Sequence, residues 1–184
     1  MSTTSGETGT VRGRSGRGAG SVLTAAAVLA LAACAVTPAR ADDCAVIYKA
    51  FEALAGAPSY SQDVTVQGNR LRSVVIGDVM YVNSGSDWQK IPLTAEGRRG
   101  ILKQFLPDGT YLKECAKVGS ETIGGKAMTV YSYVPPVPKG MEAFADAAGP
   151  QKLWVGVADG LPYRMTASSV DMSISFDGVT APIP

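Results

Sequence analysis

The chain has 184 residues, with 17 Lys plus Arg against 16 Asp plus Glu, no histidine and a formal net charge of +1. A near-neutral chain without a basic run excludes the electrostatic footprint of a nucleic-acid binder. The missing histidine removes the commonest general base, and three cysteines alone do not complete a zinc ligand set.

Residues 1–41 read as a signal peptide with its cleavage region. Met1 to Gly20 is rich in Ser, Thr and Gly and carries Arg12, Arg14 and Arg17. Val22 to Val36 is a run of Ala, Leu and Val, too short for a comfortable transmembrane helix and suited to a secretory apolar region. No Arg-Arg pair precedes it, which favours general secretion over the twin-arginine route. Two processing sites compete. Ala39-Arg40-Ala41 fits small-x-small cleavage and makes Asp42 the new N-terminus. Leu31-Ala32-Ala33-Cys34 resembles a bacterial lipobox, in which Cys34 is lipidated. Either choice implies export, to a periplasmic location or to a membrane anchor through Cys34, with no other membrane contact expected.

Residues 42–184 then form one domain, large enough for a single core. Loss of Arg12, Arg14, Arg17, Arg40 and Glu7 with the leader turns the net charge to −2. Two cysteines, Cys44 and Cys115, remain in an oxidising compartment, so a disulfide is expected, the alternative being two buried free thiols.

In chain order, Asp42 and Asp43 suit the positive end of a helix. Cys44, Ile47, Phe51 and Leu54 form its apolar stripe, and Gly56 and Pro58 stop it. A bond from Cys44 to Cys115 would staple that stripe inward. Tyr60, Gln62, Val64 and Val66 alternate with polar partners as a strand. Gly68-Asn69 turns into Leu71–Ile76, and Gly77-Asp78 turns into Val79–Asn83. Ser84-Gly85-Ser86-Asp87 leads to Trp88–Pro92. Thr94 to Leu106 is an amphipathic helix candidate capped by Thr94, with Ile101, Leu102, Phe105 and Leu106 on its apolar side. It fits a lid or a packing helix, and Pro107-Asp108-Gly109 ends it.

Tyr111–Val118 carries Cys115, and Gly124-Gly125 makes a hairpin turn ahead of Met128–Tyr133. Pro135 to Pro150 is a long Pro-bracketed loop in which Met141, Phe144 and Ala145 fit one helical turn. Lys152–Ala158 and Tyr163–Ser168 flank the turn Asp159-Gly160-Leu161-Pro162. In the last run Val170, Met172, Ile174 and Phe176 face one way and Asp171, Ser173, Ser175 and Asp177 the other. The inventory is one N-terminal helix, seven or eight antiparallel strands and one inserted helix.

Several stretches carry a resemblance: Val79-Met80-Tyr81-Val82 followed by Asp87-Trp88-Gln89-Lys90, then Cys115 ahead of Val118 to Lys126 and Val130-Tyr131. Leu153-Trp154-Val155 and Asp159 to Arg164 complete it. Over nearly all of residues 42–184 the chain resembles the superfamily of LolA-like lipoprotein carriers and related exported lipid-binding lipoproteins. The resemblance implies an α+β fold, a curved antiparallel sheet forming an incomplete barrel. It also implies an N-terminal and an inserted helix on the concave face, with an apolar cavity for acyl chains beneath them. The matching motifs are turns and strand cores, so no acyl-site residue carries over.

The function expected is non-enzymatic binding of a lipid or acylated ligand in that cavity. Its expected walls are Ile47, Phe51, Val64, Tyr81, Trp88, Phe105, Trp154, Met165 and Ile174. The alternative is an envelope scaffold or protein-interaction module with a filled core, using the 135–150 loop or an open sheet edge. No catalytic residue, metal or cofactor is expected. Gly124-Gly125-Lys126 lacks the rest of a phosphate-binding loop.

Overall fold

The period-two runs become one antiparallel sheet in a computed structural model that describes residues 41–83, 85–137 and 149–184. Among the described residues the elements are α1 (Ala41–Gly56), β1 (Ser59–Val66), β2 (Asn69–Ile76), β3 (Val79–Asn83) and β4 (Trp88–Pro92). Then come α2 (Ala95–Phe105), a 3-10 turn at Gly109–Tyr111, β5 (Lys113–Ile123), β6 (Lys126–Val134), β7 (Gln151–Gly156), β8 (Pro162–Thr166) and β9 (Val170–Ser175). The sheet has nine strands where seven or eight were expected, and β5 runs on past Val118 to Ile123.

The strand order is β4-β3-β2-β1-β9-β8-β7-β6-β5. The chain starts in the middle of the sheet, meanders to the β4 edge, crosses through α2 to the β5 edge, and meanders back. The curved sheet does not close, because β4 and β5 stay unpaired with each other. The crossover explains the position of α2: a connection between opposite edges has to pass over one face.

Strand parity sorts the two faces. Across the register Gln62↔Ile174, Val64↔Met172, Tyr60↔Val75 and Val75↔Met80, these side chains share the concave face. Met165↔Met172, Leu153↔Met165 and Tyr131↔Leu153 continue it to β6. The alternation expected for the last run holds: Ile174 is buried, Met172 half-buried, and Asp171, Ser173 and Ser175 exposed.

The stripe of α1 lies on this face. Ile47 and Ala50 pack with Leu112, Cys115, Tyr131, Tyr133, Leu153 and Val155, with Cys44 and Phe51 at the margin. Toward the other end Leu54 and Ala57 meet Tyr60, Val75 and Ile174. Two tethers fix the start of the helix. Cys44 and Cys115 form a disulfide with Cα atoms 5.2 Å apart, and the Lys117 N–H donates to Asp43 Oδ2 at 3.1 Å. Both lie where β5 departs from regular register, between Lys113 and Gly119. Such bulges re-aim side chains, and here one turns a fully buried Cys115 toward α1.

The β7–β8 hairpin depends on a close approach at Gly156. A Cβ there would sit 2.9 Å from Tyr163 Cε2 and against the Asp159 carboxylate. That carboxylate is committed, accepting from the Leu161 N–H at 3.0 Å and the Tyr163 hydroxyl at 2.6 Å. Gly156→Ala is therefore expected to cost about 1–3 kcal/mol, the usual scale of overpacking. A lower urea midpoint with unchanged slope checks this, and an unchanged midpoint contradicts it.

Three expectations lie outside the described residues. They are the signal region with the Cys34 lipidation site, the turn position Ser84, and the helical turn of Met141, Phe144 and Ala145. Among the described residues no helix is long and apolar enough to cross a membrane.

Candidate functional site

Between the two helices and the concave face lies an apolar groove with two lobes. The larger, about 610 Å³, is walled by Phe51, Leu54 and Ala55 of α1 and by Ile101, Leu102 and Phe105 of α2. Tyr60, Met80 and Met172 form its floor, and Leu93 and Arg98 close one end. The smaller, about 220 Å³, shares Phe51, Leu102 and Phe105 and continues to Leu106, Leu112, Tyr133, Gln151 and Met165, with Pro135 and Pro136 at its rim. Phe105 and Ile101 keep 48% and 47% of their surface exposed although they lie on the groove side of α2. Apolar surface facing an open apolar volume is the unspent part of this core.

Helix α2 sits above the groove for local reasons. Thr94 caps it, its Oγ1 accepting from the Gly97 N–H at 3.0 Å, and Leu106 anchors the other end in the core. The strongest tie is Arg98, which is 6% exposed. Its Nε donates to Ala55 O at 3.0 Å and its Nη2 to Ala57 O at 2.8 Å. Its Nη1 donates to Gly77 O at 3.0 Å and Leu93 O at 2.9 Å. One guanidinium thus joins α2 to the end of α1 and to the β2–β3 turn. The carbonyl end of a helix is partly negative, which suits a cation there.

Apart from Arg98, the described residues that line the two lobes are uncharged. Its tyrosines stay protonated: burial pushes Tyr133 well above the ordinary phenol range. Tyr60 is also raised by burial, with nearby Arg98 opposing part of the shift. The Tyr133 hydroxyl donates to Gln151 Oε1 at 2.7 Å and touches Met165 Sδ at 3.3 Å.

The residues expected to line a cavity divide three ways. Phe51, Phe105 and Met165 line the groove. Ile47, Val64 and Ile174 share its face but are packed into the core. Tyr81, Trp88 and Trp154 are on the opposite, convex face, because they are register partners of Val74, Asn83 and Val130. There cations cover their rings: Arg72 over Trp88, Lys90 over Tyr81, and Arg164 4.9 Å above Trp154, whose indole N–H donates to Glu121. Sequence reading omitted Leu54, Tyr60, Met80, Ile101, Leu102, Met172, Tyr133 and Gln151 from the walls. The apolar side assigned to α2 already contained the signal for Ile101 and Leu102.

No protein-family model and no curated protein matches the chain. Several solved structures are similar to it. The lipoprotein LppX of Mycobacterium tuberculosis is 14% identical, with 78% of this chain and 97% of that chain covered and a TM-score of 0.47. LprF from Mycobacterium bovis is 16% identical over 80% and 97% of the two chains, with a TM-score of 0.46. The Pseudomonas aeruginosa MucA/MucB complex is 9% identical over 77% of this chain and 59% of that one, with a TM-score of 0.45. With every one of these scores below 0.5, the functional reading rests on the groove itself.

Proposed function

We propose that the protein is an exported, non-enzymatic binding protein that holds the acyl chain of a lipid or acylated ligand in the groove beneath α2. The observation that carries the reading is the pair of apolar lobes meeting at Phe51, Leu102 and Phe105. Filling them with an acyl chain removes apolar surface from water on both partners, at about 25 cal/mol per Å². Pockets of several hundred Å³ with mostly apolar walls are the usual form of small-molecule sites. The non-enzymatic part is supported by the walls, where, among the described residues, Arg98 is the one cation and is already committed to four carbonyls, and no carboxylate or thiol is present. Export is supported by the leader-like composition of residues 1–41, and Cys34 is the proposed anchor if the lipobox is used.

Native mass spectrometry of the secreted protein, followed by organic extraction, tests this. A discrete added mass that extracts as lipid is expected from the wild type. Phe105→Asp, which places a carboxylate at the junction of the lobes, should lose it while the circular dichroism spectrum stays the same. A bare polypeptide from both would favour a scaffold role.

A further inference from the structure

We infer that Tyr133 and Gln151 form a polar anchor inside the groove, which binds the uncharged carbonyl of an acyl ester and so sets both the ligand class and its orientation. This rests on the proposed groove and goes beyond it by assigning a head-group subsite. The smaller lobe is apolar along Phe51, Leu102, Leu106, Leu112 and Met165, yet its wall also carries a phenol and an amide side by side. They are register partners on adjacent strands, so the sheet itself holds them together.

The chemistry at this spot is specific. Tyr133 is 2% exposed, and a phenylalanine would fill the same space without a hydroxyl to desolvate. The hydroxyl spends its hydrogen on Gln151 Oε1 at 2.7 Å. That bond turns the two Nε2 hydrogens of Gln151 away from the phenol, and among the described residues they donate to no protein atom. An amide donor on the wall of an apolar lobe matches an acceptor on the ligand, and an ester carbonyl is the acceptor an acyl chain brings with it. Burial keeps Tyr133 protonated and therefore a fixed donor to Gln151.

A carboxylate head is disfavoured at the same place. Arg98 lies at the far end of the larger lobe, with its guanidinium directed to Ala55, Ala57, Gly77 and Leu93. Among the described residues, an ionised head carried into the smaller lobe would find an amide and no cation, and would lose its hydration without an ionic partner. The anchored ligand is accordingly a neutral acyl ester with its carbonyl at Gln151 and its chain running past Phe51 and Phe105 into the larger lobe.

The test compares three probes of equal chain length: a pyrene-labelled alkane, the corresponding fatty acid methyl ester, and the free fatty acid at pH 8. The wild type should bind the ester about tenfold more tightly than the alkane, the scale of one net hydrogen bond. The fatty acid should bind more weakly than the ester. Gln151→Leu should abolish the preference for ester over alkane, and Tyr133→Phe, which leaves the amide unoriented, should reduce it. In both variants the readout is the ratio of ester to alkane affinity, which a general loss of fold or of groove volume would leave unchanged. Equal affinity of the wild type for ester and alkane, or a preference that survives Gln151→Leu, overturns the anchor while leaving the groove. Failure of all three probes to bind overturns the groove reading and the anchor with it.

Discussion

Replacing Arg98 with methionine is expected to lower the unfolding free energy by about 3–5 kcal/mol, the scale of breaking a buried charged network. The sign follows from which groups are left behind. A buried ion pair replaced on both sides by apolar groups is often tolerated. Here the partners are four backbone carbonyls, those of Ala55, Ala57, Gly77 and Leu93, and no single substitution removes them. Those of Ala55 and Ala57 lie in buried residues and would lose this donor, and methionine supplies none. Arg98→Lys is expected to recover only part of the loss, since an ammonium cannot spread four bonds over a planar fork. Chemical denaturation of the two variants measures both effects. Because the same side chain seats α2, binding of an acyl probe should fall with stability in Arg98→Met. A methionine variant as stable as the wild type would show that water replaces the guanidinium.

The double variant Cys44→Ser, Cys115→Ser carries the second large expectation. The bridge spans 71 residues of sequence, and the chain-entropy relation gives about 4 kcal/mol for a loop of that length, reduced by any native strain. A loss of about 2–4 kcal/mol is expected, seen as a thermal midpoint lower by roughly 10 °C. The same shift should follow reduction of the wild type, and should be absent when reductant is added to the variant. The oxidised wild type should also weigh two protons less than the reduced chain. Identical midpoints with and without reductant would mean that the helix tether at Asp43 and Lys117 suffices alone.

Much of the architecture is written in local patterns. The alternation of Val170 to Phe176, the Thr94 cap and the α1 stripe each force one structure, and each appears where its pattern places it. The face occupied by Tyr81, Trp88 and Trp154 was not legible. Met80 and Val82 flank Tyr81, and Leu153 and Val155 flank Trp154, so both faces of those strands are apolar and period two does not break the tie. The cations that cover the aromatic rings come from other strands, Arg164 from the adjacent strand and Arg72 from two strands away, and become visible only with the register. Arg98 was hidden for a related reason. On an amphipathic helix an arginine reads as solvated, and nothing local announces four carbonyls contributed by residues 5 to 43 positions away. The groove was expected only through the resemblance, since an unfilled volume has no residue of its own.

The strand order has a consequence for how this protein is put together. Strand β9 lies in the centre of the sheet, with four strands on either side. The two flanking sets, β4-β3-β2-β1 and β8-β7-β6-β5, are each runs of neighbouring hairpins that close over short loops or, between β6 and β7, a longer one. The seam between β1 and β9 joins the earliest strand to the latest, and bears the largest closure entropy of any pairing in the sheet. The floor of the groove draws on both sides of that seam, with Tyr60 and Met80 from one and Met172 and Met165 from the other. The groove therefore belongs to neither half, and exists only once the seam has closed.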